Sequence, residues 1–299
     1  MNKNKTGTAI KEKIIYYGFG GGLGHITRFN AFCNTFGIKP FLLTAIPKEY
    51  EYKIQTFAQE TLLFSSEQPN NKIALRNWVS NKINEIKPDK LIIDAFPGGI
   101  LGELTDLPEL NQVKEIEYIA RILKIDIYQK RINGNLPIFS KIWEVEELDQ
   151  NQKMFLVKHS KNQNIPIIPL KLAYPSSDAD SSISLPSNCW LIIHSGNQEE
   201  LQSLYDYAQD IALLENTSPN FAIVGQIQKP DFLPSNLPYY SVFPVTSLLE
   251  KASKVISGAG FNIMKQMSQH KEKHLILPFE RALDDQFLRV KLAKNSGKI

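Results

Sequence analysis

The sequence holds only two cysteines, Cys33 and Cys189, and neither belongs to a Cys-x-x-Cys pair or a Cys/His cluster. No disulfide framework or zinc site is expected from that pattern, and a reducing cytoplasm is the expected setting. No stretch approaches 18 uninterrupted apolar residues, and the segment from Met1 to Thr8 lacks the apolar core of a signal peptide. A membrane-spanning helix and export by the usual route are both excluded on this reading. Long basic runs are missing too: the net charge of +3 over 299 residues comes from scattered Lys and Arg. That excludes the footprint of a nucleic-acid partner but leaves room for peripheral contact with the anionic inner face of a membrane. No metal is expected either. Asp178-Ala179-Asp180 matches a metal-binding Asp-x-Asp pattern, but it sits among serines rather than after a strand and reads as solvated loop.

What is present is an ordinary globular composition, 42% hydrophobic and 22% charged, on a chain long enough for two medium domains. Short apolar runs alternate with helix-like segments, the pattern of βα units around a mainly parallel sheet. Strands are expected at residues 14–17, 41–44, 61–64, 91–94 and 116–120, with helices at 25–36 and 72–86. Residues 135–148 and 153–157 have no clear period. After Leu172 the texture turns to Ser and Pro, which marks a linker. A second series is then expected, with strands at 190–193, 221–224, 239–243, 255–257 and 274–278 and helices at 198–210, 247–252 and 262–269. The expected division is 1–173 for an N-terminal Rossmann-like domain, 174–189 for the linker and 190–299 for a second such domain.

The first strand runs into Gly18-Phe19-Gly20-Gly21-Gly22-Leu23-Gly24-His25-Ile26-Thr27-Arg28. A glycine-rich bend between strand and helix lets backbone approach a ligand and leaves helix-end amides free for anionic groups. The second strand ends Leu-Leu-Thr-Ala, without the acidic residue of a dinucleotide site, and no Gly-Lys-Ser/Thr follows the bend, so nicotinamide, flavin and Walker-type readings all fail. No cofactor is expected. His25 lies near a helix N-terminus, where the dipole favours the neutral ring that a general base requires. It serves equally well, on this evidence, as a helix cap. Arg28 is either an acceptor or phosphate contact or a solvated helix residue, and Asp94 either a cleft residue on the acceptor side or a turn former. Phe96, Ile100 and Leu101 line an acceptor groove or belong to the core.

A second strand, glycine turn and helix start occur at Ser257-Gly258-Ala259-Gly260-Phe261-Asn262, and Pro278-Phe279-Glu280-Arg281-Ala282-Leu283-Asp284-Asp285-Gln286 follows the last expected strand. One of Asp284 and Asp285 is expected to cap the final helix and the other to meet ligand.

The order and spacing of these three segments resemble the GT-B glycosyltransferases, in the family 28 branch that includes the peptidoglycan N-acetylglucosaminyltransferases. The resemblance implies an α/β fold of two Rossmann-like domains facing a cleft, the first binding acceptor and the second a nucleoside-diphosphate sugar, UDP-linked by expectation. It implies His25 as catalytic base, with Gly22 and Gly24 against the diphosphate or acceptor. Ser195, Gly196, Ser257, Gly258, Ala259, Gly260, Phe261 and Asn262 would form the diphosphate turns, and Glu280, Asp285 and Gln286 would meet the donor sugar. Gln266 stands where many relatives carry a ribose-binding Glu. The resulting expectation is inverting, metal-independent sugar transfer to a hydroxyl acceptor, a lipid or a glycan. Two alternatives stand beside it: nucleotide-sugar hydrolysis on the same fold, and an inactive nucleotide-sugar-binding subunit, the latter prompted by Gln266 and by a chain that ends soon after the last motif.

Overall fold

The computed structural model describes residues 12–20, 22–46, 57–65, 71–159, 164–175, 183–295 and 297. Gly21, the Asp178–Asp180 segment and much of the expected linker lie outside them. Two parallel sheets form the molecule. The first contains β1 (Ile14–Tyr17), β2 (Phe41–Thr44), β3 (Glu60–Leu63), β4 (Lys90–Asp94), β5 (Glu115–Ala120), β6 (Lys141–Glu144) and β7 (Ile167–Pro169), in the order 3-2-1-4-5-6-7. The second contains β8 (Cys189–His194), β9 (Asn220–Gly225), β10 (Tyr239–Tyr240), β11 (Lys254–Ser257) and β12 (His274–Ile276), in the order 10-9-8-11-12.

Strands such as Ile-Ile-Tyr-Tyr and Lys-Leu-Ile-Ile-Asp are apolar on both faces because helices cover both sides of a parallel sheet. Ile15 and Tyr17 enter one core with Leu75 and Val79, while Tyr16 enters the other with Ile26, Phe29 and Phe32. The first sheet is served by α1 (Gly24–Phe36), α2 (Lys72–Ile86), the single turn α3 (Ile125–Tyr128) and α4 (Gln150–His159). The second carries α5 (Gln198–Leu214), α6 (Thr246–Lys251), α7 (Phe261–Gln266) and α8 (Gln286–Asn295). Local signals set the helix ends: Gly37, at φ +64°, closes α1 in the left-handed region, and Asn71 and Asn197 accept from the third residue beyond to cap α2 and α5.

Four segments differ from the sequence-based expectation. Residues 135–148 contain β6, and 153–157 fall inside α4, whose buried face is only Gln152, Phe155 and Leu156. The strand expected at 239–243 stops at Tyr240, and residues 243–246 line the cavity between the sheets, with Phe243 packed on the first sheet's core cluster. β7, unforeseen, is an edge strand with all three residues exposed.

The strand orders place a switch point between β1 and β4 and another between β8 and β11, where successive connections leave in opposite directions and open a crevice at the strand carboxyl ends. Tyr17 pairs with Ile93 and Ser257 with Ile193. The glycine turn after β1 therefore lies beside Asp94, and the turns after β8 and β11 lie beside each other.

Candidate active site between the two sheets

Both crevices open into one interdomain cavity of about 640 Å³. Its N-terminal wall includes Gly20, Gly22, Gly24, His25, Arg28, Phe96 and Arg121; its C-terminal wall includes Ser195, Gly196, Gln226, Phe243, Ser257, Gly258, Gly260, Asn262, Gln266, Arg281 and Asp284. The two glycine turns read from the sequence thus face a common space.

His25 is not a helix cap. Leu23 holds that position with no side-chain bond, and the His25 ring turns inward, with Nε2 3.0 Å from Thr44 Oγ1 and Nδ1 buried without a partner. A Cβ on Gly20 would stand 3.1 Å from that Nδ1, so the glycine is what lets the turn close over the ring. Burial, reinforced by the nearby Arg28 charge and only partly offset by the Gly22 backbone, lowers the His25 pKa to about 3. Burial rather than the helix dipole keeps the ring neutral at physiological pH, and the same burial encloses it.

Arg28 is neither solvated nor free. It forms a buried two-pronged pair with Asp94, Nη2 to Oδ2 at 2.7 Å, and its guanidinium lies 5.5 Å from the centroid of the Phe261 ring. Burial opposes the charge and Asp94 more than restores it, leaving the Arg28 pKa raised. The two acceptor-side candidates therefore spend their charges on each other, with Asp94 held at the end of β4 and not lining the cavity. Beside it Ala95 sits at φ +64°, a backbone conformation strained for a residue with a Cβ. Phe96 does reach the cavity, whereas Ile100 and Leu101 pack on the N-terminal core.

Several residues expected on the donor are used otherwise. Asp285 caps α8 by accepting from Leu288 N at 2.9 Å. Gln286 is buried, and its Oε1 accepts from Ala259 N and Phe279 N, both at 3.0 Å, tying two loops together. Glu280 pairs with Lys124 across the domain boundary. None of Ala259, Glu280, Asp285 and Gln286 lines the cavity. Phe261 is buried in the N-terminal core cluster with Tyr16 and Phe29. Asn262 donates to Gly24 O at 2.6 Å and accepts from Tyr174 at 3.1 Å, so its amide joins the second glycine turn to the first turn of α1. Ser257 bonds His274 Nε2 at 2.8 Å and Gly258 O at 2.9 Å, and burial lowers the His274 pKa to about 4. Gln266 stays at the cavity, its Oε1 accepting from Thr246 at 3.3 Å.

Sequence reasoning passed over Thr44, Arg121, Arg281 and the role of Asp284. Asp284 takes Arg121 and Arg289, and Arg289 is also held by Glu146 at 2.8 and 2.9 Å, so this ion cluster bridges the domains. Flanking cations hold the Asp284 carboxyl down at about 2 against the upward push of burial. Arg281 is gripped by both oxygens of Glu200 on α5. One signal was available for Arg121: it is the first residue after an expected strand, where α/β sheets place site residues.

No protein-family model and no curated protein matches the sequence. Solved structures do share its architecture. The Streptomyces sp. SF2575 glycosyltransferase SsfS6, complexed with thymidine diphosphate, superposes with a TM-score of 0.59 at 8% identity, covering 96% of this chain and 86% of that one. UDP-N-acetylglucosamine 2-epimerase from Rickettsia bellii gives 0.55 at 13% identity, over 92% and 80% of the two chains. MurG of Acinetobacter baumannii gives 0.53 at 14% identity, over 95% and 83%. At such identities the likeness shows the fold: this chain has the GT-B architecture of two Rossmann-like domains.

Proposed function

We propose that the protein is a glycosyltransferase that moves a sugar from a nucleoside diphosphate to a hydroxyl acceptor, inverting and without a metal. The observation that carries this reading is the shared cavity, in which a glycine turn with a neutral histidine faces two turns from the second sheet. Ser195 offers its hydroxyl and, with Gly196, Gly258 and Gly260, backbone groups to the diphosphate, Ser257 being the strand end from which the second turn springs, and Gln266 offers an amide to the ribose. Uridine diphosphate is the expected donor nucleotide; thymidine diphosphate, bound by SsfS6, is the comparison that bears on it.

His25 is the proposed base. In the tautomer whose Nε2–H donates to Thr44 Oγ1, the lone pair on Nδ1 is the one to accept the acceptor's hydroxyl proton. That nitrogen is shut under the glycine turn, so proton transfer requires the turn to lift from the ring. Lifting also hydrates the imidazole and brings its pKa up toward the range where a base works efficiently.

The test is incubation of the purified protein with radiolabelled UDP- and TDP-sugars, with product separation, alongside thermal shift with the free nucleotide diphosphates. Stabilisation by a diphosphate at millimolar concentration and sugar transfer lost by about 100-fold or more in His25→Ala are expected. Release of free sugar without any acceptor would make the protein a hydrolase, and an isomerised nucleotide sugar an epimerase. No shift by either diphosphate would remove the donor site altogether.

A further inference from the structure

Arg121 leaves β5 directly into the cavity, and only 9% of its surface is exposed. A guanidinium carries five N–H donors that burial obliges it to satisfy. Here Nη1 makes both of its bonds, to Asp284 Oδ1 and, at 3.3 Å, to Ile122 O. Nε is buried with no acceptor, and no described residue accepts from Nη2. The carboxylate that reaches Arg121 is divided, because Asp284 also takes two bonds from Arg289. One face of the guanidinium is turned to the Phe96 ring, 5.7 Å from its centroid. Burial lowers the Arg121 pKa, Asp284 opposes that shift, and the like charges of Arg28 and Arg289 add to it.

A buried arginine with one fork edge unfilled is costly in a folded protein, and at a cavity wall that cost is offset when a ligand supplies the missing oxygens. The contrast with its neighbours is sharp. Arg28 fills its Nε and Nη2 edge with Asp94, Arg289 fills its own with Glu146, and Arg281 gives both Nη groups to Glu200. Arg121 alone among these four has the Nε and Nη2 edge empty of any described acceptor.

We propose that Arg121 recognises an oxyanion, a carboxylate or a phosphate, carried by the sugar substrate at the first-sheet wall of the cavity. The proposal rests on the glycosyltransferase reading and deepens it by assigning charge to the substrate. The anion meets Nη2 with Nε beside it, while Phe96 and Leu283 supply apolar wall. Because Arg121 belongs to the first sheet, opposite the turns at Ser195 and Ser257, the favoured bearer is the acceptor; a uronic-acid donor sugar presents the same chemistry.

The experiment has two arms. In one, glucuronate and glucose 6-phosphate are compared with glucose by saturation-transfer NMR on the full chain, with and without UDP. In the other, UDP-glucuronate is compared with UDP-glucose by calorimetry. A preference of about tenfold or more for the charged sugar, present in one arm and lost in Arg121→Met, is expected and tells which substrate bears the anion. Arg121→Lys, which keeps the charge and loses the fork, should retain only part of it. Equal binding of charged and neutral sugars in both arms, or a preference that survives Arg121→Met, overturns the proposal. Failure of UDP and TDP to bind counts against the donor reading instead, since the free-sugar arm without nucleotide still reports on Arg121.

Discussion

Acid should loosen this protein through two buried histidines. His25 and His274 have folded-state pKa values of about 3 and about 4, against an ordinary value near 6.5. Each is depressed, so between those limits the unfolded chain binds more protons than the folded one, and stability falls as pH falls. It is fully present above the unfolded value and continues to drain until pH passes the folded one. Between pH 7 and pH 5 the loss is roughly 2 kcal/mol per histidine, or about 4 kcal/mol for the pair. Urea denaturation at the two pH values measures it. In His25→Gln the pH-dependent loss should shrink by roughly 2 kcal/mol relative to the parent, and comparing the two proteins cancels every other titrating group. An unchanged loss in His25→Gln would mean that the ring is not held neutral in the folded state, and the argument for a neutral base would go with it.

Three further substitutions separate structural from ligand roles. Asp285→Ala removes the α8 cap and should cost about 1 kcal/mol in urea denaturation while leaving nucleotide-diphosphate affinity unchanged; a large fall in affinity would restore Asp285 to the donor site. Glu146→Ala removes two charge-assisted bonds from Arg289 but leaves it paired with Asp284, and should destabilise by about 1.5–3 kcal/mol, read as a lowered thermal midpoint. Gln266→Glu should tighten UDP binding by about tenfold in calorimetry, through a charge-assisted bond to ribose, and weaker binding would show that this side chain does not reach the sugar.

The βα alternation was legible wherever a strand is buried on both faces, because such strands are uninterrupted apolar runs: β1, β2, β4 and β8 are all of this kind. β6 and β7 escaped because their neighbours near the sheet edge bury less of them, so Lys-Ile-Trp-Glu and Ile-Ile-Pro carry no strong period. The cavity's backbone was legible for a related reason: glycine turns are read from composition alone. Its side-chain chemistry was not. The cap expected of Asp284 or Asp285 falls to Asp285, a local i to i+3 bond that one dimension does show. Gln286 and Asn262 looked like ligand contacts because polar residues after a strand have few other readings in one dimension, yet each bonds main-chain groups of other loops, and most of those partners come near only once the chain is folded. Arg121, which meets the cavity, belongs to no motif at all.

Phe261 and Leu283 come from the second half of the chain yet are buried in clusters on opposite faces of the first sheet. Separating the two halves would draw both side chains into water at about 2 kcal/mol each and would also break the pairs of Arg289 with Glu146 and of Lys124 with Glu280. Apolar plugs and charge therefore act together at the same boundary, and the two walls of the cavity are held at one spacing for a ligand to fit.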